Sequence, residues 1–113
     1  MTFTNNGTNA IRDLFNTALT DAELGTGTTA SLASDTALGT RVAATDLSTT
    51  NTTSDKQVNM DYNLPSTTGN GSALSEFGTF NASDVIFSRH VFAALTKAST
   101  EQWQISVVYK INN

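Results

Sequence analysis

Side chains that could carry out chemistry are few in this chain and lie far apart in its sequence. His90 is the only histidine among 113 residues, and there is no cysteine. A histidine-activated nucleophile needs a hydroxyl or thiol beside the imidazole and a carboxylate that orients it, and the residues around His90 do not suggest such a set. A zinc site needs several His or Cys ligands at short spacing. We therefore expect no catalytic residues and no zinc.

Two segments contain residue types that occur in ligand sites. Asp21 and Glu23 lie two residues apart, on one face of a possible strand, where their carboxylates could bind Ca²⁺ together with other oxygens. Gly25-Thr26-Gly27 is similar to the start of a dinucleotide-binding loop, but the third glycine and the surrounding βαβ unit are missing. We interpret the acidic pair as a solvated edge and the glycines as a tight turn. No metal and no cofactor are therefore expected.

Glu76 and Arg89 are oppositely charged residues on neighbouring candidate strands. We expect them to pair across those strands. A cross-strand contact of this kind contributes about 0.2–1 kcal/mol, so the pair indicates a structural role rather than catalysis.

The last third of the sequence predicts the strands that position these residues. Residues 74–80, 85–92 and 102–111 are strand-like runs separated by short polar breaks. In residues 102–111 apolar and polar side chains alternate, which is typical of a half-buried antiparallel strand. Residues 85–92 are apolar on both faces, which predicts a central strand covered on both sides.

The first two thirds contain weaker signals. An apolar stripe at helical spacing predicts a helix over residues 9–19, capped by Thr8 or Asn9. Residues 34–35 could cap a single helical turn, residues 40–46 suggest a short strand, and residues 47–55 suggest a polar loop or hairpin tip. Residues 56–64 alternate again and predict a strand that Pro65 ends, because proline cannot donate to a central ladder.

These elements, five or six strands and one helix, predict a mainly β fold. We expect a small antiparallel β-sandwich or barrel with one N-terminal helix. The whole chain, residues 1–113, is expected to form a single domain, in which residues 1–19 are an N-terminal arm and helix and residues 20–113 form the sandwich.

Composition excludes several classes of partner. Charged residues make up 14% of the chain, against about a quarter in an ordinary soluble domain, and the formal net charge is −4. The six cations are scattered singly, whereas nucleic-acid binding needs a basic face. No apolar run approaches the roughly 20 residues of a membrane span, and the N-terminus lacks the pattern of a signal peptide. We expect neither nucleic acid nor membrane as a partner, and we expect stability to depend on assembly with neighbours.

Several segments together resemble a family of small virion proteins of tailed bacteriophages. They are LGTGTTASLASDTALGTRVA (residues 24–43), SEFGTFNAS (75–83), SRHVFAALTK (88–97) and the closing QISVVYKI (104–111). In that family an LGTGTT…DTAL segment precedes a strand with an arginine, and an E-x-G-x-F segment precedes an R-x-x-F strand. The matching positions in this chain are Glu76, Gly78, Phe80, Asn81, Arg89 and Phe92. The predicted helix departs from the family, whose chains usually begin directly with a strand.

The resemblance implies a non-enzymatic structural component on the outer surface of a virion. It fits a capsid decoration (cement) protein that bridges capsid subunits, or alternatively a tail or fibre-attachment component. The implied partners are the major capsid or tail proteins, with homo-oligomer or lattice contacts. A glycan-binding module on the virion is a further alternative. We predict partner contacts at Arg41, Tyr62, Arg89 and His90.

Overall fold

Two antiparallel β-sheets and one N-terminal helix make up the structure, a computed structural model that describes residues 1–112. The helix is α1 (Asn5–Ala18). In chain order the strands are β1 (Asp21–Gly25), β2 (Leu47–Ser48), β3 (Thr50–Ser54), β4 (Gln57–Leu64), β5 (Ala73–Phe80), β6 (Ile86–Thr96) and β7 (Trp103–Lys110). The first sheet has the order β2-β1-β5-β6, and the second has the order β3-β4-β7. The predicted mainly β, sandwich-like fold with one N-terminal helix is confirmed.

The core lies between the two sheets. The second sheet contributes Val58, Met60, Tyr62 and Leu64, the alternate residues of β4, and all four are buried. The first sheet contributes residues such as Phe77, whose ring meets that of Tyr62 edge to face at 5.2 Å. Each buried side chain of this size stabilises the fold by about 1.5–3 kcal/mol, so the period-two pattern of β4 is what holds the sheets together.

One side of the sandwich is closed and the other is open. On the closed side the chain passes from β2 through Thr49 directly into β3, so it links the first sheet to the second. On the opposite side β6 and β7 are both edge strands. Between them lies a groove of about 720 Å³, lined mainly by apolar side chains, which we call the edge groove.

Helix α1 begins four residues earlier than predicted. Thr4, and neither Thr8 nor Asn9, caps it, and its side chain accepts a hydrogen bond of 3.0 Å from the Gly7 amide. Thr8 is itself a residue of the helix, and it is buried in the fold. The cap prediction was wrong because the earlier Thr-Asn-Asn-Gly run is a poor helix former by propensity, yet the Thr4 side chain caps it and starts the helix there. Among the described residues no helix has the length and hydropathy that crossing a membrane requires.

Three local predictions between residues 34 and 55 are wrong. No helical turn begins at residues 34–35, because the Asp35 carboxylate accepts a hydrogen bond from the Leu32 amide and closes a turn instead. Residues 40–46 form one isolated bridge, between Arg41 and Gly25, followed by a 3-10 turn over Ala43–Thr45. The polar loop or hairpin tip expected over residues 47–55 is instead mostly strand: β2 pairs with β1 and β3 pairs with β4, and the hairpin turn between β3 and β4 follows at residues 55–56.

Strand β6 differs most from its prediction. It continues four residues further than expected, to Thr96, and it is an edge strand rather than a central one. Its apolar residues on two faces have different neighbours: one face lines the edge groove, and the other meets an irregular loop of the chain. A loop can cover a strand as well as a neighbouring element can, and the hydrophobic pattern does not distinguish the two.

Candidate functional site

The carboxylate of Glu76, on β5, is the centre of the largest polar network in the described chain. The side chain is fully buried. Its Oε2 accepts hydrogen bonds from the amides of Gly27 at 2.6 Å and Thr40 at 2.8 Å. Its Oε1 accepts from the amide of Gly39 at 2.7 Å and from Nε of Arg89 at 2.9 Å. Every acceptor position of a buried charge is thereby used, which is the condition under which burying a carboxylate is tolerated.

Arg89 extends this network from the neighbouring strand β6. Its side chain is 4% exposed. Beyond Glu76, it donates to the carboxylate of Asp35 at 3.1 Å and to the carbonyl oxygen of Thr29 at 2.8 Å. Apart from each other, Glu76 and Arg89 find all of the partners named above in residues 26–40, which we call the glycine loop. The predicted Glu76–Arg89 pair is thus confirmed, and it fastens the glycine loop to the outer face of the first sheet.

The protonation states of the network follow from these contacts. Burial by itself would raise the pKa of the Glu76 carboxyl, but the hydrogen bonds from Thr40, Gly39, Arg89 and Gly27 outweigh it and lower that pKa. The hydrogen bond to Glu76 raises the pKa of the Arg89 guanidinium. The pair is therefore ionised throughout the physiological range. A carboxylate that is fixed in this state and enclosed by donors holds backbone in place, and it is not positioned to exchange protons with a substrate.

A second group of charges lies at the end of β1, where three carboxylates converge. Oxygens of Asp21, Asp46 and Asp84 lie within 4.8 Å of one another. Asp84 has a positive φ of 60°, a conformation that aspartate adopts more readily than most residues. Carboxylate oxygens are the ligands that Ca²⁺ prefers, so these three residues are the ones in the described chain that could hold a divalent cation. The sequence pairing of Asp21 with Glu23 missed Asp46 and Asp84, which are remote in sequence.

Arg41 and Glu23 border this acidic cluster. Arg41 pairs with Glu23 at 2.9 Å and with Asp46 at 3.5 Å. A hydrogen bond shared with Asp21, together with burial and the charges of Asp21 and Glu23, nevertheless raises the pKa of Asp46 to about 7. Two carboxylates within hydrogen-bonding distance of each other, as Asp46 and Asp21 are, share a proton more readily than they both ionise.

Replacing Asp46 with asparagine is expected to raise the free energy of unfolding at pH 8 by about 1 kcal/mol and to leave it unchanged near pH 4. The raised pKa means that the folded state binds the proton more tightly than the unfolded chain does. Stability is therefore full below the ordinary pKa of 3.8 and is lost as the pH rises through about 7. The side chain is 31% exposed, so solvent screening keeps the effect far below the value that the full shift would give.

Urea denaturation at pH 4, 6 and 8 measures this effect. Asp55→Asn is the matched control, because Asp55 is an exposed carboxylate in the turn before β4 and lies outside the acidic cluster. A wild-type stability that stays flat from pH 4 to 8, or an Asp46→Asn curve parallel to it, would contradict the shared proton.

The edge groove is the third candidate site. Phe92, Trp103, Ile105, Val107 and Tyr109 are partly buried and pack against the core from this side. At one end the Tyr109 hydroxyl forms a closed set of hydrogen bonds with two hydroxyls of the first sheet, those of Thr79 at 2.6 Å and Ser88 at 2.7 Å. An apolar lining with one polar end is suited to binding apolar side chains of another molecule.

His90 lies in the lining of the edge groove and is exposed. Its ring stacks on Phe92 at a centroid distance of 6.2 Å. Within residues 1–112 no hydrogen bond or ion pair links it to a carboxylate, so the described neighbours of His90 do not form the arrangement that a histidine general base uses.

The four predicted contact residues divide into two pairs. Tyr62 is completely buried and donates a hydrogen bond of 2.6 Å to the carbonyl oxygen of Thr45, and Arg89 is enclosed by the glycine loop. The predicted partner contacts at Tyr62 and Arg89 are therefore wrong, because neither side chain has surface to offer. Arg41, whose side chain is 53% exposed, and His90 lie at the surface, and their contact role stays a prediction.

A buried cation that the sequence analysis did not single out anchors the loop between β4 and β5. Lys97 is 1% exposed. Its Nζ donates to the side-chain oxygen of Asn70 at 2.6 Å and to the carbonyl oxygen of Ser66 at 3.1 Å. Within the described part of the chain, carbonyl and amide oxygens rather than a carboxylate accept hydrogen bonds from this charge. A lysine that follows an apolar strand carries no sequence signal for such a role.

Comparison with known proteins adds no relative: no family model matches this chain, no curated protein matches it, and no solved structure matches it.

Proposed function

We propose that this protein is a non-enzymatic structural component of a tailed-bacteriophage virion, and specifically a decoration protein that binds the outside of the capsid and bridges its subunits. The assignment to a virion rests on the sequence resemblance. The fold supports this assignment in one respect: residues from three of the segments that carry the resemblance lie together. The glycine loop, Glu76 of the E-x-G-x-F segment and Arg89 of the R-x-x-F segment form a single buried network.

The open side of the sandwich is the feature that best supports a docking role. Two edge strands and the apolar edge groove lie together on one side. Edge strands present unpaired backbone groups that extend a neighbour's sheet, and main-chain hydrogen bonds of this kind need no particular charge. A surface with few charges docks in the same way over a wide range of salt concentrations, which suits a protein that must remain on a particle.

Particles assembled without this protein test the proposal. We expect them to lose infectivity faster than complete particles on heating or osmotic shock, and we expect purified protein added back to restore survival. Cryo-electron microscopy of the intact particle should show the chain on the head. Density on the tail instead would favour the tail or fibre-attachment alternative, and unchanged capsid survival would remove the cement role.

A glycan-binding role has one observation in its favour. A cleft of about 610 Å³ near the start of β7 is lined by Trp103 and by the amides of Asn63 and Gln104. An aromatic ring beside amide groups is a combination that holds sugars through stacking and hydrogen bonds. Glycan-array binding that is lost in Asn63→Ala and Gln104→Ala variants would support this second candidate. Both side chains are exposed, so neither substitution removes core packing.

A further inference from the structure

The free edge of β7 presents regularly spaced backbone groups to solvent. Residues 103–110 pair with β4 without any register shift. Just beyond, the Ile111 amide donates to the Lys56 carbonyl at 2.8 Å, so odd-numbered residues of β7 exchange hydrogen bonds with β4. In an antiparallel ladder the bonded residues alternate. The backbone groups of Gln104, Ser106 and Val108 therefore point away from β4, toward the open side.

Strand β7 lacks the features that protect most sheet edges. Natural edge strands are short, irregular, interrupted by proline, or charged. The neighbouring edge strand β6 has two register shifts in its pairing with β5. By contrast β7 is regular over eight residues, contains no proline, and has Lys110 at its end as its one charge. Such an edge is suited to pairing with another strand.

The sequence of β7 is complementary to itself in an antiparallel register centred on Ser106. In this register Ser106 faces Ser106 of a second copy, and Gln104 faces Val108. These are the residues whose backbone groups point outward, so each facing pair can exchange two hydrogen bonds. Shifting the register by one residue would put inward side chains opposite outward ones. The hydrogen-bonding pattern and the side-chain pattern thus allow the same registers, those in which even-numbered residues face even-numbered residues. Among these, the register centred on Ser106 pairs residues 102–110 with residues 110–102 and so uses the whole strand.

The side chains that meet in this register are compatible in charge and shape. On the inner face Trp103 meets Tyr109 of the second copy, and Ile105 meets Val107. On the outer face Lys110 meets Gln102, so no like charges face each other, although each chain has a net charge of −4. Aromatic and β-branched cross-strand pairs are the kind that stabilise a sheet.

We propose that a second copy of this chain occupies the open edge, by pairing β7 with β7 around a two-fold axis at Ser106. The second sheet then continues through both copies as six strands, and the apolar linings of the two edge grooves cover each other. The interface is isologous, as in most homodimers. This inference comes from the edge geometry alone and does not depend on the assignment to a virion.

Sedimentation equilibrium of the purified chain over a range of concentrations tests the proposal. The wild type is expected to have twice the chain mass of 12.0 kDa. Ser106→Lys places two ammonium groups opposite each other at the two-fold axis, each beside the Asp61 carboxylate to which the Ser106 hydroxyl donates at 2.7 Å, and we expect it to weaken dimerisation about fivefold. Asn63→Lys is the matched control. It adds the same charge to the exposed face of the second sheet, but on β4, opposite Gln104 of the same chain, and should leave the dimer intact.

A charge-swap experiment makes the test independent of folding defects. Ser106→Lys and Ser106→Glu variants should each be weakened alone, and an equimolar mixture should recover a heterodimer because opposite charges then meet. Far-UV circular dichroism confirms that both variants are folded. A monomeric wild type at about 100 μM, equal behaviour of the Ser106→Lys and Asn63→Lys variants, or a mixture that stays dissociated would each overturn the proposed interface.

Discussion

Replacing Glu76 with glutamine is expected to lower the free energy of unfolding by about 3–5 kcal/mol. Glutamine has the same shape but offers one acceptor oxygen and one donor nitrogen. In either orientation its amide nitrogen faces two donors, the amides of Gly27 and Thr40 or the amide of Gly39 and Nε of Arg89. The substitution also leaves the enclosed guanidinium of Arg89 with Asp35 as its one anionic partner among residues 1–112. Breaking one side of a buried ion pair is costly because the other charge remains desolvated.

Thermal and urea denaturation measure this effect, at roughly 4 °C of melting temperature per kcal/mol for a domain of this size. Glu101→Gln is the matched control, because the exposed Glu101 carboxylate accepts a hydrogen bond from the Ala98 amide that a glutamine oxygen can accept as well. The double variant Glu76→Gln/Arg89→Met is expected to lose less stability than the two single losses added together. A Glu76→Gln variant as stable as the wild type would show that the carboxylate does not hold the glycine loop.

Replacing Gly25 with alanine is expected to lower the free energy of unfolding by about 2–3 kcal/mol. A Cβ at this position would overlap the carbonyl oxygen of Thr40 and the carboxylate of Glu76. The carbonyl belongs to backbone that is itself fixed, since it accepts a hydrogen bond of 2.8 Å from the Thr26 amide, so the overlap can be relieved only by moving the glycine loop. Inserting a methyl group into a packed site of this kind usually costs about 1–3 kcal/mol.

Gly7→Ala provides a control with the opposite expected sign. Gly7 lies in α1, where a Cβ would meet only the side-chain oxygen of Thr4, at 3.3 Å. Alanine favours the helix over glycine by up to about 1 kcal/mol, so this variant should be at least as stable as the wild type. Equal melting temperatures for the Gly25→Ala variant and the wild type would contradict the close approach at Gly25.

The strands that alternate strictly were predictable from sequence, and the others were not. Strands β4 and β7 have an apolar face toward the core and a polar face toward solvent, so their pattern specifies both their existence and their orientation. Strand β3 (Thr50–Ser54) has no apolar residue. Backbone hydrogen bonds pair it with β4, and the hydrophobic pattern of a sequence does not indicate such bonds. Strand β6 has apolar residues on two faces, and the pattern cannot tell a covering loop from a neighbouring element.

The candidate sites were predictable only where the two partners lie on adjacent strands. Glu76 and Arg89 pair across β5 and β6, and that adjacency follows from the order of the strands. The contribution of the glycine loop depends on backbone amides, which any residue supplies, at separations of 36 to 49 residues from Glu76. Asp46 and Asp84 come close to Asp21 only in the folded chain, so the spacing of residues in the sequence does not predict the acidic cluster.

The way in which Glu76 binds the glycine loop has a consequence for how this protein tolerates change. One carboxylate holds the loop near both ends, at Gly27 on one side and at Gly39 and Thr40 on the other, while residues 30–34 between these points are exposed. Doubling the length of such a segment costs only about 0.6 kcal/mol of closure entropy. The tip at residues 31–33 is therefore the position at which foreign peptides could be grafted for display, and at which natural variants can diverge in length without disturbing the sandwich.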